Sequence, residues 1–370
     1  MGNSPIGYHY GKFPPANLDW QQLIPLLGPT SASLARYDGL LSTIPNADIL
    51  LSPLTTQEAV LSSNIEGTNV TMGEVLEIEA DSTNIPQQKR ADVEEVLNYR
   101  KTLQSCVSEV RKRSLSQQIL RAAHSLLMEG VRGRDKSPGQ YRTEQNWIGA
   151  RGCQIEQARF VPIAPEHLQS GMDAWESYLC QTSEPDTLVQ LAILHAEFEA
   201  LHPFKDGNGR LGRMIIPLYL FQRGVLKSPD LYMSGYLEAN REEYQDRLLA
   251  VSRDLDWTGW VKYFLRGIYQ QAEENARKAQ DILALYDSVK KSVLQEIHSQ
   301  YAIAAVDFIF RAPIFPSTLF VSSANIPKPT ANRLLALLRK KGLLFTLREG
   351  KGRRPGVYAF MDLMSIAERR

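Results

Sequence analysis

Residues 202–213 read His-Pro-Phe-Lys-Asp-Gly-Asn-Gly-Arg-Leu-Gly-Arg, the densest gathering of chemically able groups in the 370-residue chain. Gly207, Asn208 and Gly209 suit a tight loop whose backbone N–H groups converge on an anion, as phosphate-binding nests do. His202 is of a residue type able to accept a proton near neutral pH, and Asp206 is a carboxylate suited to Mg²⁺. Arg210 and Arg213 supply fixed cationic forks, and Lys205 counts with them among the candidate phosphate contacts. Base, metal ligand, anion cradle and cations thus fall within one loop and turn.

The flanking pattern says how these groups are presented. Leu188, Leu191, Leu194, Phe198 and Leu201 follow helical spacing, which predicts a buried helix over about 187–201 with His202 at its end. Leu211, Met214, Ile215, Leu218 and Phe221 start a second helix straight after Gly209, its positive dipole end aimed at whatever the loop binds. Pro217 falls inside that helix and predicts a kink.

A second motif lies upstream. Ser52 can cap a helix, Pro53 suits its first turn and Gly67 its C-terminal stop, and within it Ser62 and Glu66, four apart, share one face.

The 202–213 segment resembles the signature of the Fic family, His-Pro-Phe-x-Asp/Glu-Gly-Asn-Gly-Arg-x-x-Arg, at every fixed position. The resemblance implies a mainly α fold, a Fic-type helical core with a β-hairpin flap, and transfer of AMP from ATP to a Ser, Thr or Tyr hydroxyl of a target protein, or of the chain itself, with release of pyrophosphate. It implies that His202 deprotonates the hydroxyl, Asp206 holds Mg²⁺, Gly207 to Gly209 cradle the α- and β-phosphates, and Arg210 and Arg213 bind the β- and γ-phosphates. Ser62 to Gly67 is similar to the family's inhibitory helix, Ser/Thr-x-x-x-Glu-Gly/Asn, which implies that Glu66 pairs with Arg213 and competes with the γ-phosphate. Doc-like relatives, which transfer phosphate, depart from the signature in the second half of the loop, whereas Gly209 matches the AMP-transferring form. Some glutamate-bearing relatives also remove AMP, a further chemistry open to Glu66.

Composition agrees with a regulatory enzyme. The chain is long enough for two or three domains, 43% of it is hydrophobic, and 42 basic against 41 acidic residues give no global drive towards nucleic acid or membrane. Cys106, Cys153 and Cys180 are an odd count without metal spacing, which suggests reduced thiols. No apolar run of about 18 residues occurs and residues 1–10 lack the regions of a secretion signal, so the cytoplasm is the expected compartment.

Three regions follow: an N-terminal helical region with the inhibitory helix (1–110), a catalytic core (111–275) and a C-terminal domain (290–370). Pro5, Pro14, Pro15, Pro25 and Pro29 predict an irregular wrap with short helices over residues 1–50, and Thr71 with Glu74 suggests a capping box. Helices are expected over Asp92–Val110 and Ser116–Met128. Asn146–Gly149 and Ala158–Val161 are strand-like runs expected to form a hairpin. In Fic proteins a flap in this place, here about 146–161, takes the target segment as an added strand. Tyr232, Tyr236, Asn240 and Tyr244 fall at helical spacing, and the resemblance selects Tyr236 and Asn240 as adenosine contacts. Trp257, Trp260 and Phe264 are expected to close the core, and a charged helix over about 275–300 to link it to the last domain.

From about 302 the order helix, short helix, turn at Asn325-Ile326-Pro327, helix and two strands resembles a winged helix-turn-helix. Lys328, Arg333, Arg339, Lys340, Lys341, Arg348, Lys351, Arg353 and Arg354 face one acid, Glu349, a charge able to meet DNA phosphates, although basic wings serve protein contacts as well. A DNA-binding regulator whose core senses nucleotide is therefore the competing function class. His202 discriminates the two, since a sensor needs no base there. A homodimer would suit a switched-off resting form.

Overall fold

The computed structural model describes residues 4–80, 86–130, 135–150, 152–181, 184–296, 299–323, 326–352 and 354–369, and these are mainly helical. In chain order the first elements are β1 (Ile6–Gly7), α1 (Trp20–Leu41), α2 (Ala47–Leu50), α3 (Ser52–Ile65), α4 (Met72–Ala80), α5 (Gln87–Val110) and α6 (Gln117–Leu127). Then come β2 (Phe160–Val161), α7 (Pro165–Cys180), α8 (Thr187–Leu201), α9 (Asn208–Gln222), α10 (Ser234–Ala239), α11 (Arg241–Asp254) and α12 (Trp257–Glu296). The last are α13 (Ala302–Arg311), β3 (Ile314–Pro316), α14 (Ser317–Ser323), α15 (Lys328–Lys340), β4 (Phe345–Arg348), β5 (Val357–Ala359) and α16 (Met361–Glu368). Contacts gather the chain into two compact units, Met1–Asp38 with Leu97–Glu273, and Gly39–Val96 with Glu274–Arg370.

The first unit is built around α8. Every residue of α8 from Leu188 to Leu201 is buried, the polar Gln190, His195, Glu197 and Glu199 among them, with α7, α9 and α11 packed on it. Trp175 and Trp260 fasten it by donating their indole N–H groups to the carbonyls of Leu194 (2.9 Å) and Ala192 (2.7 Å). Asp186 caps its start, accepting from the N–H groups of Leu188 at 2.8 Å and Val189 at 3.1 Å. α9 runs on through Pro217 to Gln222.

Two expectations change in the first half of the fold. The prolines do not break α1, which continues through Pro25 and Pro29 for 22 residues. Leu23, Thr30, Leu34, Tyr37 and Leu41 recur on one buried face, and that burial outweighs the lost backbone bonds. Among the described residues the flap runs meet at one isolated antiparallel bridge, Ile148 with Phe160, where a hairpin was expected. A short 3₁₀ turn at Ile155–Gln157 interrupts the stretch between them, and β2 pairs in parallel with β1, Ile6 beside Phe160 and Gly7 beside Val161. The residues after β1 hold that pairing in place: the Tyr8 hydroxyl donates to Glu197 Oε1 at 2.5 Å, and the His9 ring lies 2.8 Å from both Glu197 Oε2 and Ser252 Oγ.

Further along, α10 and α11 replace the single aromatic helix, divided at Asn240 (φ −115°, ψ 35°). Conversely, the stretch expected to close the core and the charged helix expected over 275–300 are one continuous helix, α12, of 40 residues. Its buried positions Val261, Phe264, Leu265, Ile268, Ala272, Ala279, Ile282, Tyr286, Val289 and Val293 keep helical spacing throughout, so nothing stops it.

In the second unit, α3 packs on α13 and α16, and α4 on β3. Leu51, not Ser52, holds the cap position of α3, while Gly67 ends it in the left-handed region at φ +102°. The Thr71–Glu74 capping box forms, with bonds of 3.0 and 3.2 Å in the two directions. β3, β5 and β4 make an antiparallel sheet in that order, and Phe308 packs edge to face on both Phe315 of β3 and Phe320 of α14. β3 and α16 lacked a sequence signal, and Asn325 and Arg353 lie outside the described residues.

Candidate active site

His202 caps α8 in the left-handed region (φ 48°, ψ 59°), which turns the chain sharply out of the helix. Few non-glycine residues adopt such a conformation unless their surroundings hold them there. Five residues later Gly207 takes φ 77° and starts α9. Its N–H donates to Asp206 Oδ1 at 2.5 Å, and a Cβ at this position would lie 3.2 Å from Met128 Sδ, so glycine meets two demands at once.

Asn208 ties the loop to itself. Its Oδ1 accepts from the Phe204 N–H and its Nδ2 donates to the Phe204 carbonyl, both at 2.8 Å, which folds residues 204–208 into a closed turn. Asn146 Nδ2 reaches the same carbonyl at 3.2 Å from the flap stem. The first backbone N–H groups of a helix have no acceptors within it, which makes the start of α9 suited to an anion.

The charged residues surround the turn. Arg210 is buried, with its guanidinium 3.5 Å from Asp206 Oδ1, while the Asp206 side chain keeps 46% of its exposure. Lys205 Nζ lies 3.4 Å from Glu144 Oε2. Arg213 is also buried, close enough to His195 for its charge to act on that ring. His195 is enclosed, with Nδ1 3.1 Å from the Gly212 carbonyl and Nε2 2.9 Å from the Tyr244 hydroxyl, and burial pushes its pKa down to about 3. Gly212, at a variable position of the signature, packs against Glu199, whose Oε1 a Cβ would meet at 2.2 Å.

Two braces escaped the sequence reading. His124 stacks on Phe204 with ring centres 3.9 Å apart. Its Nδ1 accepts from the Gly139 N–H at 2.8 Å, so its proton sits on Nε2 and is donated to the Asp206 carbonyl at 3.1 Å. Burial pushes its pKa down to about 4, and the ring is neutral at physiological pH. A polar residue on the buried face of α6, among Leu120, Ala123 and Leu127, was the available signal. The second brace is Arg142, buried and bonded to the His202 carbonyl; nothing in its neighbours' spacing marks it.

Tyr236 is packed within the first unit, its ring 5.3 Å from that of Tyr263 and closed off by Gly267, and Asn240 donates to the Tyr236 carbonyl at 2.9 Å. A cavity of about 80 Å³ lies further along α11, lined by Ile148, Phe160, Ala196, Ala200, Leu248 and Leu249 with Arg159, Glu199 and Gln245. Arg159 crosses from the flap to α11, bonding Gln245 at 2.8 Å and Asp246 at 2.7 Å. Ser62, Glu66 and Gly67 belong to the second unit. Among the described residues no three His, Cys, Asp or Glu side chains gather as a metal cage, and no helix is long and apolar enough to cross a membrane.

Comparison with known proteins gives this geometry its context. The Fic/DOC family N-terminal model matches residues 24–108 and the Fic/DOC family model residues 114–220, the latter containing the whole loop. The chain is 25% identical over 209 residues to a probable protein adenylyltransferase of Aquifex aeolicus (strain VF5), covering 55% of this chain and 59% of that one. It is 26% identical over 239 residues to the protein adenylyltransferase Fic of Nematostella vectensis, covering 60% and 51%. The chain therefore matches little more than half the length of these curated relatives. In fold it is similar to a Fic family protein from Desulfovibrio desulfuricans G20 (TM-score 0.58, 20% identity, 94% and 98% of the two chains). It is similar also to residues 134–508 of Fic-1 from C. elegans (TM-score 0.54, 19% identity, 72% and 76%). Two Fic/DOC family models that together match more than half of the 370 residues, the second containing the whole 202–213 loop, place this chain in the Fic/DOC family.

Proposed function

We propose that the chain is a protein adenylyltransferase, moving AMP from ATP to a Ser, Thr or Tyr hydroxyl of a protein. The observation that carries the reading is the turn between α8 and α9, where His202 is held at one end and Asp206, Gly207 and Arg210 at the other. His202 takes the hydroxyl proton, the oxygen attacks the α-phosphorus, and the bond from that phosphorus to the bridging oxygen breaks, releasing pyrophosphate. Gly207, Asn208 and Gly209 receive the phosphates on backbone N–H groups, with Arg210 and Arg213 as counter-charges and Lys205 at the rim.

A single exposed carboxylate suits Mg²⁺, which keeps waters and is held largely by the substrate's phosphates, so Asp206 would carry it. When bound, the ion neutralises charge developing on the pyrophosphate. For adenosine, the resemblance favours Tyr236 and Asn240, while the apolar cavity along α11 offers an alternative wall for the base. Leu248→Trp separates them: a raised KM for ATP supports the cavity, and an unchanged KM returns the base to Tyr236 and Asn240.

Glu66 is proposed to keep the enzyme at rest by competing with the γ-phosphate for Arg213, with Ser62 on the same helix face and Gly67 ending the helix as the inhibitory pattern requires. Self-modification, a homodimeric resting form and removal of AMP belong to this reading as extensions. The order of α13, β3, α14, α15, β4, β5 and α16 supports a winged helix-turn-helix, and DNA contact through its basic residues is the rival function. Incubation with ATP and Mg²⁺ followed by mass analysis decides the chemistry. An AMP adduct with equimolar pyrophosphate supports the proposal, and a phosphate adduct, or none with any protein, removes it.

A further inference from the structure

We infer that Arg142 is a positioning residue, which fixes His202 and both stems of the flap in one frame so that the base meets a docked hydroxyl. The inference rests on the proposed AMP transfer. Arg142 is 3% exposed, and all its hydrogen bonds among the described residues join backbone groups. Nε donates to the His202 carbonyl at 2.9 Å, and one terminal nitrogen donates to the Leu201 carbonyl at 3.2 Å and to the Ile163 carbonyl. The other terminal nitrogen donates to the Glu144 carbonyl at 3.2 Å, and the Arg142 N–H donates to the Pro203 carbonyl at 2.9 Å.

Those acceptors come from three stretches of chain. Leu201, His202 and Pro203 form the end of α8, whose carbonyls lack partners within the helix and carry the negative end of its dipole. Glu144 leads into the flap and Ile163 leads out of it. One planar guanidinium, with five donors in a rigid fork, therefore ties both flap stems to the turn that carries the base. An ammonium has a single nitrogen and cannot reach the same set. Burial pushes the Arg142 pKa down to about 10, so the group stays charged at neutral pH and suits the dipole end it occupies.

His202 needs such a hold because its backbone is in the left-handed region. With the fork removed, the turn relaxes and the imidazole moves relative to a strand added at the flap. A misplacement of about 1 Å costs on the order of 100-fold in rate. The phosphate cradle is held separately, by Asn208, His124 and Asn146, so nucleotide binding survives.

The test compares Arg142→Ala and Arg142→Lys in the full-length Glu66→Gly chain. Expected are a kcat about 100-fold lower with KM for ATP within about twofold, no rescue by lysine, and partial recovery of the alanine variant in millimolar guanidinium but not in equal NaCl. An unchanged kcat overturns the inference, as does a loss of ATP binding with no guanidinium recovery. NMR titration of the His202 ring reads the same point without turnover. A displaced titration curve that guanidinium restores supports the inference, and an undisturbed curve refutes it. If the Glu66→Gly parent forms no adduct, the AMP-transfer reading fails on its own, while the titration still decides what Arg142 does.

Discussion

At the scale of single residues, the loop assigns separable jobs. His202→Ala should lower transfer by about 100- to 10,000-fold, the usual worth of a general base, while calorimetric ATP binding stays near wild type; intact labelling in this variant removes His202 from the chemistry. Gly207→Ala forces a Cβ on a backbone at φ 77° and to within 3.2 Å of Met128 Sδ. It should cost about 1–3 kcal/mol by denaturant unfolding and weaken ATP binding as well, and full stability would contradict the strained turn. Most of these residues were legible in sequence because the chemistry demands their types at short range. His124 and Arg142 were not, because each acts on the loop from a distant segment and only the fold brings them to it.

At the scale of elements, α8 and α9 were readable because their apolar spacing is local. α1 and α12 were misjudged for a related reason: prolines and a charged stretch are local signals, whereas the burial that keeps those helices continuous is supplied by the rest of the protein. The flap was only half visible, since the parallel partner of Phe160–Val161 is Ile6–Gly7, far away in sequence. That pairing depends on Glu197, which is buried and takes bonds from Tyr8 and His9. Removing one partner leaves a buried carboxylate under-compensated, so His9→Ala should cost about 3 kcal/mol in denaturant unfolding and increase hydrogen exchange at Phe160 and Val161. An unmoved midpoint with unchanged exchange would mean that β1 stays in place without it.

At the scale of the whole molecule, two buried imbalances set a pH dependence. His124 and His195 are neutral in the folded chain, with pKa values pushed down to about 4 and about 3, mainly by burial. Unfolded, each takes a proton near pH 6.5. Their contribution is therefore complete above about 6.5 and is lost as pH falls through 4 and then 3. Between pH 7 and 5 the loss should be about 2 kcal/mol for each ring, measured as a falling denaturant midpoint that His124→Gln makes shallower. Equal stability at both pH values would contradict neutral buried rings. The sequence also reads as consecutive regions, whereas the compact units draw on separated stretches, with α3 packed on α13 and α16. Such long-range packing leaves no periodicity to find, and it joins the proposed inhibitory helix to the C-terminal elements in one unit.

The central claim is a base-driven AMP transfer held at rest by Glu66. Incorporation of α-labelled ATP, with Mg²⁺, into wild type, Glu66→Gly and Glu66→Gly/His202→Ala chains tests it most directly. The account predicts weak labelling of the wild type, strong labelling of Glu66→Gly on a hydroxyl side chain, and none in the double variant. Equal labelling of the first two would contradict the restraint, and labelling that survives in the double variant would contradict the base.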